Sequence, residues 1–248
     1  MMQFIRFMDE DFVKEILHDG KELEEGRKFD ITAVDFEPDP QFDEYEFYIH
    51  RVGFFLVNFI HLCDQLDFSV EFLYRYDYNK SKTMERPNRV DYIILNIENY
   101  YIRFQSVQDR LLQLINSVFH LCVDENEVNN TVIMSNLKVM RTDVPTKFKR
   151  VKRLLRNVSE NRNQIIHKHS YREVELNKIE LFYLAELDDD DWGKEANNHR
   201  KLKLKDYLKK KREEFTKYND SLFELILDIF DLLHKEYKSQ KHKLGVFR

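Results

Sequence analysis

Apolar residues recur at three- and four-residue spacing along four long stretches of the chain, separated by polar segments. That period belongs to helices with one face turned to a core. The first stretch carries Phe47, Phe54, Val57, His61 and Leu62 and predicts a helix over about 45–76, with Asp43 placed to cap its start. The second, through Phe104, Val107, Leu111, Leu114, Val118, Phe119 and Cys122, predicts a helix over about 92–122. The third runs over about 146–170 through Phe148, Val151, Leu155, Val158 and Ile165. Pro145 suits its first turn, where a missing N–H loses no helical bond. The fourth covers about 203–237 and includes Phe215, Leu222, Leu225, Ile226, Ile229, Phe230 and Leu233. Phe12, Val13, Ile16 and Leu17 mark a short helix near the start, and Asp124–Asn130 opens another that ends near Thr142. Glu173–Leu187 alternates only loosely and reads as irregular or as a small hairpin, followed by an acidic turn at Asp188–Asp191. No stretch approaches the ~18 apolar residues needed to cross a bilayer. The nearest, Val52–Cys63, is interrupted by Asn58 and His61.

Composition strengthens the helical reading. Only 5 glycines and 4 prolines occur in 248 residues, and both residues punctuate helices. Long helices with short links predict an all-α, up-and-down bundle. Pro38 and Pro40 set a boundary in the pattern, giving an acidic N-terminal arm at 1–40 and a single helical domain at 41–248. The net charge of −5 is unevenly placed, because fifteen acids and five bases fall within the first 46 residues. The rest of the chain is therefore net basic, which leaves room for a local nucleic-acid-binding face. Cys63 and Cys122 lie in apolar helical contexts and fit a reduced, cytoplasmic setting with core roles. The start of the chain has no signal-peptide pattern. No Cys/His zinc spacing, phosphate-binding Gly loop or Gly-x-Ser-x-Gly elbow is present, and the Asp188–Asp191 run lacks calcium-loop spacing. Neither a metal nor a cofactor is expected.

The third helix breaks its own pattern. Three- and four-residue steps along its apolar stripe land on Arg162, where an apolar side chain belongs. A guanidinium on a buried stripe is costly unless paired, and a local rule broken in an otherwise consistent element points to function. Five residues later comes His167, within Arg162-Asn163-Gln164-Ile165-Ile166-His167. Asn163 stands four before His167 on one helix face, placed to fix its tautomer or touch a phosphate. His169 shares the Arg162 face and is a second candidate for proton transfer. Asp109, in a polar line with Gln105 and Asn116 on the second helix, is a candidate partner for the guanidinium.

Arg-Asn-x-x-x-His late in a long helix of an all-helical chain resembles the signature of the HEPN superfamily (higher eukaryotes and prokaryotes nucleotide-binding domains). The resemblance covers about 91–238, with the first long helix as an addition to a core of about four helices. Many members with this motif are metal-independent endoribonucleases of toxin–antitoxin and defence systems, acting as homodimers with the site at the interface. The resemblance maps the catalytic pair onto Arg162 and His167 and the polar residue after the Arg onto Asn163. Some members continue His-x-Tyr; this chain has His169 at that position and Tyr171 two residues later.

The residues suit that chemistry. Cleavage through the ribose 2′-hydroxyl needs a proton acceptor, a proton donor for the 5′-oxygen, and positive charge on the phosphate. His167 supplies the first kind of group and Arg162 the last. Arg103, Arg110, Lys149, Lys152, Arg153 and Arg156 are candidate RNA contacts, and a second basic run follows at Arg200–Arg212. Expected partners are RNA, a second copy of the chain, and an antitoxin or other protein. The competing reading is a non-catalytic HEPN-like module that binds nucleotide, RNA or protein in the same polar cleft. A third is a structural helical protein in which the motif is coincidence.

Overall fold

The computed structural model describes residues 7–24, 41–75, 89–168, 170–184 and 191–246. The Pro38/Pro40 boundary, most of the Asn79–Arg89 loop, His169 and Asp188–Asp190 lie outside the described residues. Eight helices occur among the described residues, with no strand. They are α1 (Asp11–Glu24), α2 (Glu44–Arg75), α3 (Arg89–Val118), α4 (Asn130–Met134), α5 (Leu137–Met140), α6 (Val144–His167), α7 (Val174–Leu184) and α8 (Asp191–Gly245). The fold is all-α, as the hydrophobic period predicts. Among the described residues no helix is long and apolar enough to cross a membrane.

Local chemistry sets the ends of these helices. Asp43 and Glu46 form a reciprocal capping box at the start of α2. The Glu46 N–H donates to Asp43 Oδ1 at 2.8 Å, and the Asp43 N–H donates to Glu46 Oε2 at 3.2 Å. α3 stops at Val118, although its apolar stripe continues to Cys122. The cause is a paired closure: the Leu121 N–H reaches the Asn116 carbonyl at 3.1 Å and the His120 N–H reaches Ser117 at 3.0 Å. Asn116, fully buried, then holds both backbone groups of Val123 through its amide, at 2.9 and 3.2 Å. The single helix expected before Thr142 is two short ones. The extended backbone of Asn136 interrupts it, and the Asn129 and Asn136 side chains cap the two pieces.

Two further differences arise from weak periodicity. Residues 174–184 form α7, not a hairpin. Leu176 and Ile179 are buried while Val174 and Leu181 are exposed, so apolar residues on both faces blur the helical signal. α8 begins at Asp191, about twelve residues before the expected start near 203. Its first turns are polar nearly all round; extending an existing helix avoids the cost of a new nucleus.

The chain divides into two compact units, and α2, α3, α6 and α8 contribute residues to both. The first comprises 1–64, 106–153 and 222–248. Its core includes Val52, Leu56, Phe59, Leu111, Ile115, Phe148, Val151, Ile226, Ile229 and Leu233. The described part of the acidic arm belongs to this core. Phe7 packs on Phe223 and Phe230, with ring centroids 5.4 and 5.2 Å apart, and Phe12 packs on Phe230 and Tyr237. Each buried phenyl ring contributes about 1.5–3 kcal/mol. The acids of α1 face cations of α8: Glu15 meets His234 at 2.7 Å and Lys238 and Lys241 at 3.4 Å. Asp19 accepts from Tyr237 Oη at 2.7 Å and pairs with Lys241 at 2.5 Å.

The second unit comprises 65–105 and 154–221. Its centre is aromatic. Tyr100 stacks on Phe215 with centroids 3.7 Å apart and planes 11° from parallel, and donates to Asn219 Oδ1 at 3.0 Å. Asn219 in turn donates to Asp67 at 3.0 Å. Gln105 donates to the Leu155 carbonyl, tying α3 to α6. Around them pack Ile93, Ile97, Phe104, Val158, Leu176, Leu204 and Leu208.

Candidate functional site

The buried stripe of α6 runs through Phe148, Val151, Leu155 and Val158 and ends there. Arg162 and Ile165, the next residues on it, are only half-buried, while Asn163 and His167 are exposed. This corrects the expectation of a guanidinium held in a core. Water solvates the Arg162 charge, so its placement carries no large burial cost that a carboxylate must offset. Its Nη1 donates to Asn163 Oδ1 at 3.2 Å, joining the first two motif residues. His167 is the last residue of α6, and the Lys168 N–H still closes onto Gln164 at 2.9 Å. The motif is thus displayed on the final turns of a helix.

Asp109 and Arg110 are exposed and belong to the first unit. The polar line beside Asp109 serves structure at both ends, Gln105 on the Leu155 carbonyl and Asn116 on Val123. Arg103 is held within the second unit by Gln65 at 3.1 Å and Asn99 at 2.7 Å. Lys149, Arg153 and Arg156 are exposed and Lys152 is half-buried, whereas their neighbours Lys147 and Arg150 face Asp228 at 2.7 and 4.0 Å. Alternate members of that basic run therefore differ in role, some neutralised by an acid and some open to an anion.

The second basic run is less of a surface than its composition suggests. Arg200 and Lys211 are buried, Lys210 pairs with Glu175 at 3.3 Å, and Arg212 with Glu71 at 3.4 Å. Lys201, Lys203, Lys205 and Lys209 stay exposed.

Lys211 anchors a polar network immediately downstream of the motif. Its ammonium donates to Glu214 at 2.8 Å and to Tyr171 Oη at 3.2 Å, and lies 3.2 Å from Glu173. The rings of Tyr171, Tyr207 and Phe215 surround it, with centroids 5.7–5.8 Å away. Tyr171 and Tyr207 both donate to Glu173 Oε2 at 2.7 Å, and the Tyr171 N–H donates to Glu98 at 2.6 Å. Burial pushes the Glu173 carboxyl up. The hydrogen bonds from Tyr207 and Tyr171 and the Lys211 charge outweigh this and hold it below the usual carboxylate range. Burial likewise lowers Lys211, and the oxygens of Tyr101, Glu214 and Glu173 more than reverse it. Tyr171 and Tyr207 are raised, first by burial and then by the neighbouring oxygens. The chain leaving the motif is thereby fixed at residues 171–173.

One signal for this network was present in the sequence. Leu204, Leu208, Lys211 and Phe215 follow one another at four- and three-residue steps, so Lys211 interrupts an apolar stripe. Its carboxylate partner Glu173, 38 residues away in the chain, has no such mark.

The chain matches the HEPN_Cthe2314-like HEPN family model over residues 55–236, from within α2 to within α8. The match thus takes in much of the first long helix as well as the motif. No curated protein and no solved structure gives a significant match. A family match over more than half its length, with the Arg162–His167 motif inside the matched span, shows that this chain belongs to the HEPN superfamily.

Proposed function

We propose that this protein is a metal-independent endoribonuclease of HEPN type that acts in the cytoplasm as a toxin or defence effector. The observation that carries the reading is the Arg162–Asn163–His167 constellation, half-buried at Arg162 and exposed at the other two, at the end of α6 in a chain of this superfamily. His167 takes the proton of a ribose 2′-hydroxyl, or returns one to the leaving 5′-oxygen. The 2′-oxygen bonds to phosphorus, the bond to the 5′-oxygen breaks, and a 2′,3′-cyclic phosphate and a 5′-hydroxyl result. Arg162 neutralises the phosphate as charge builds on it. Asn163, already bonded to Arg162, orients the pair. Lys149, Lys152, Arg153 and Arg156 track the RNA backbone, with Arg103 and Arg110 as further contacts. The chemistry consists of proton transfer and charge stabilisation, both within reach of these side chains.

Helix geometry favours a site shared by two copies. Five residues of α-helix advance about 7.5 Å and turn about 140° from the starting face, so Arg162 and His167 of one copy diverge. A symmetric dimer brings two such pairs into one cleft. Exposed apolar residues support this: Ile166, beside His167, is 45% exposed, and Val174 and Leu181, seven apart on α7, are 71% and 67% exposed. An antitoxin or other protein partner is the remaining element of the proposal.

The test is a single-turnover time course on a mixed RNA pool with EDTA present, for wild type and His167→Ala. Loss of general acid–base catalysis should slow cleavage roughly 10²–10⁴-fold. RNA affinity should remain, because phosphate contacts supply it. Product ends should be 2′,3′-cyclic phosphates, and light scattering should report a dimer. RNA binding without cleavage by the wild type would identify a non-catalytic binding module instead.

A further inference from the structure

Two non-glycine residues among those described have positive φ, His120 at 48° and Cys122 at 54°, and both lie in the loop after α3. The first is accounted for by the helix closure, which places a left-handed residue immediately after the cap. The second is not, since both closing bonds are made by residues 120 and 121. A left-handed cysteine persists only where surrounding contacts over-determine it. They do here. Asn116 clamps both backbone groups of Val123, Arg51 donates to the Val123 carbonyl at 3.3 Å, and Lys138 reaches the carbonyls of Phe119 and His120 at 3.4 Å.

The consequence of that conformation is chemical. Cys122 Sγ is exposed and lies 4.0 Å from His120 Nδ1. His120 Nε2 lies 2.6 Å from Glu44 Oε1. The imidazole is 13% exposed and packs edge-on against the Phe47 and Tyr48 rings, with centroids 6.3 and 5.3 Å away. A carboxylate only accepts hydrogen bonds, so the neutral ring carries its proton on Nε2 and turns the Nδ1 lone pair toward sulfur. Nucleophile, base and orienting carboxylate stand in the order used for covalent catalysis. All three residues belong to the first unit, and the Arg162–His167 motif belongs to the second.

We propose that Cys122 is a covalent modification site at which His120, oriented by Glu44, activates the thiol toward low-molecular-weight disulfides. The thiol proton passes to His120 Nδ1, and Sγ bonds to one sulfur of the incoming disulfide. The incoming S–S bond breaks, and the departing sulfur takes the proton from the imidazole. Cys122 is oxidised to a mixed disulfide, the incoming molecule is reduced by release of one thiol, and no other oxidant is consumed. Exchange at sulfur needs an exposed thiol, a base and open approach, all of which the loop supplies. Acyl transfer would also need donors aimed at a developing oxyanion.

The chain carries its own internal control, since its other cysteine, Cys63, is 2% exposed. The experiment follows thiopyridone release from the neutral disulfide dithiodipyridine by the native full chain at pH 7. A cysteine peptide serves as reference. An ordinary thiol is about 3% ionised at that pH, so imidazole assistance raises the rate at most about 30-fold. Native protein should release one equivalent about 10–30 times faster than the peptide, and Cys122→Ser should release none. His120→Asn, which tolerates the left-handed backbone, should bring the rate to that of the peptide. Glu44→Ala, at an exposed position, should slow it several-fold and decides the matter if His120→Asn fails to fold. Glutathione disulfide should add one adduct at Cys122 by mass spectrometry. A native rate equal to the peptide's, or one unchanged by both His120→Asn and Glu44→Ala, would overturn the proposal. It does not depend on the ribonuclease reading.

Discussion

Replacing Lys211 by Met tests whether the network behind the motif is the structural anchor it resembles. Methionine preserves most of the aliphatic stem among Tyr171, Tyr207 and Phe215 and deletes the ammonium. Removing one partner of a buried ion pair costs about 3–5 kcal/mol, because the remaining charge keeps its desolvation and loses its compensation. Here the side chain of Lys211 is 5% exposed, but those of Glu173 and Glu214 are 37% and 36% exposed. Water can recover part of the loss, which reduces the figure to about 2 kcal/mol. For a chain of this size that corresponds to a fall in Tm of about 4–8 °C. The assay is thermal unfolding by circular dichroism at pH 7 for wild type, Lys211→Met, and the triple variant that adds Glu173→Gln and Glu214→Gln. The triple variant should recover part of the stability, because it no longer leaves two carboxylates without a cation. A Lys211→Met protein as stable as wild type would refute the reasoning. So would a triple variant weaker than the single by the full sum of its parts. Since Tyr171 follows His167 by four residues, Lys211→Met should also lower cleavage more than RNA affinity.

Three further expectations follow from the same contacts. Arg162→Lys keeps the charge but loses the planar fork; at about 1.5–3 kcal/mol for a hydrogen bond to a charged group, cleavage should fall roughly 10–100-fold. Its Tm should stay within about a degree, since the residue is half-exposed, and a large drop in Tm would show that the side chain is buried after all. Glu173 has a depressed folded-state pKa. Its stabilisation is therefore present above the ordinary carboxylate value of ~4.3 and is lost as pH falls through the folded one. Lys211 is raised, so its share is complete below the ordinary ~10.4 and is lost only as pH rises through the folded value. Tm should be level near neutrality and decline in acid, less steeply in Glu173→Gln; identical acid slopes would contradict the assignment. Finally, Asn116→Ala removes a fully buried amide from both backbone groups of Val123, leaving Arg51 on the carbonyl and the N–H without that acceptor, and should cost about 1–3 kcal/mol by urea titration. A loss of unfolding free energy below a few tenths of a kcal/mol would mean that the loop is held elsewhere.

The sequence by itself determined the helical class, the places of the four long helices, the capping role of Asp43 and the motif that led to the superfamily. These are local matters: an apolar period, a cap and a hexapeptide are each complete within a few turns of chain. The ends of the helices were less legible. The stripe of α3 continues to Cys122, but the closure at Asn116 stops the helix at Val118, and α7 hides its period by displaying apolar residues on two faces. Only the tertiary structure decided which polar groups are buried. Arg162 and Lys211 both interrupt apolar stripes, yet the first is half-exposed and the second is enclosed by three rings and two carboxylates. Nothing within either helix distinguishes them. The difference lies in what packs opposite, for Lys211 above all Tyr171 and Glu173 from some forty residues earlier in the chain. In the same way, the orientation of the His120 ring beside Cys122 depends on Glu44, 76 residues before His120. Burial and partnership are properties of packing between segments, whereas periodicity belongs to one segment alone.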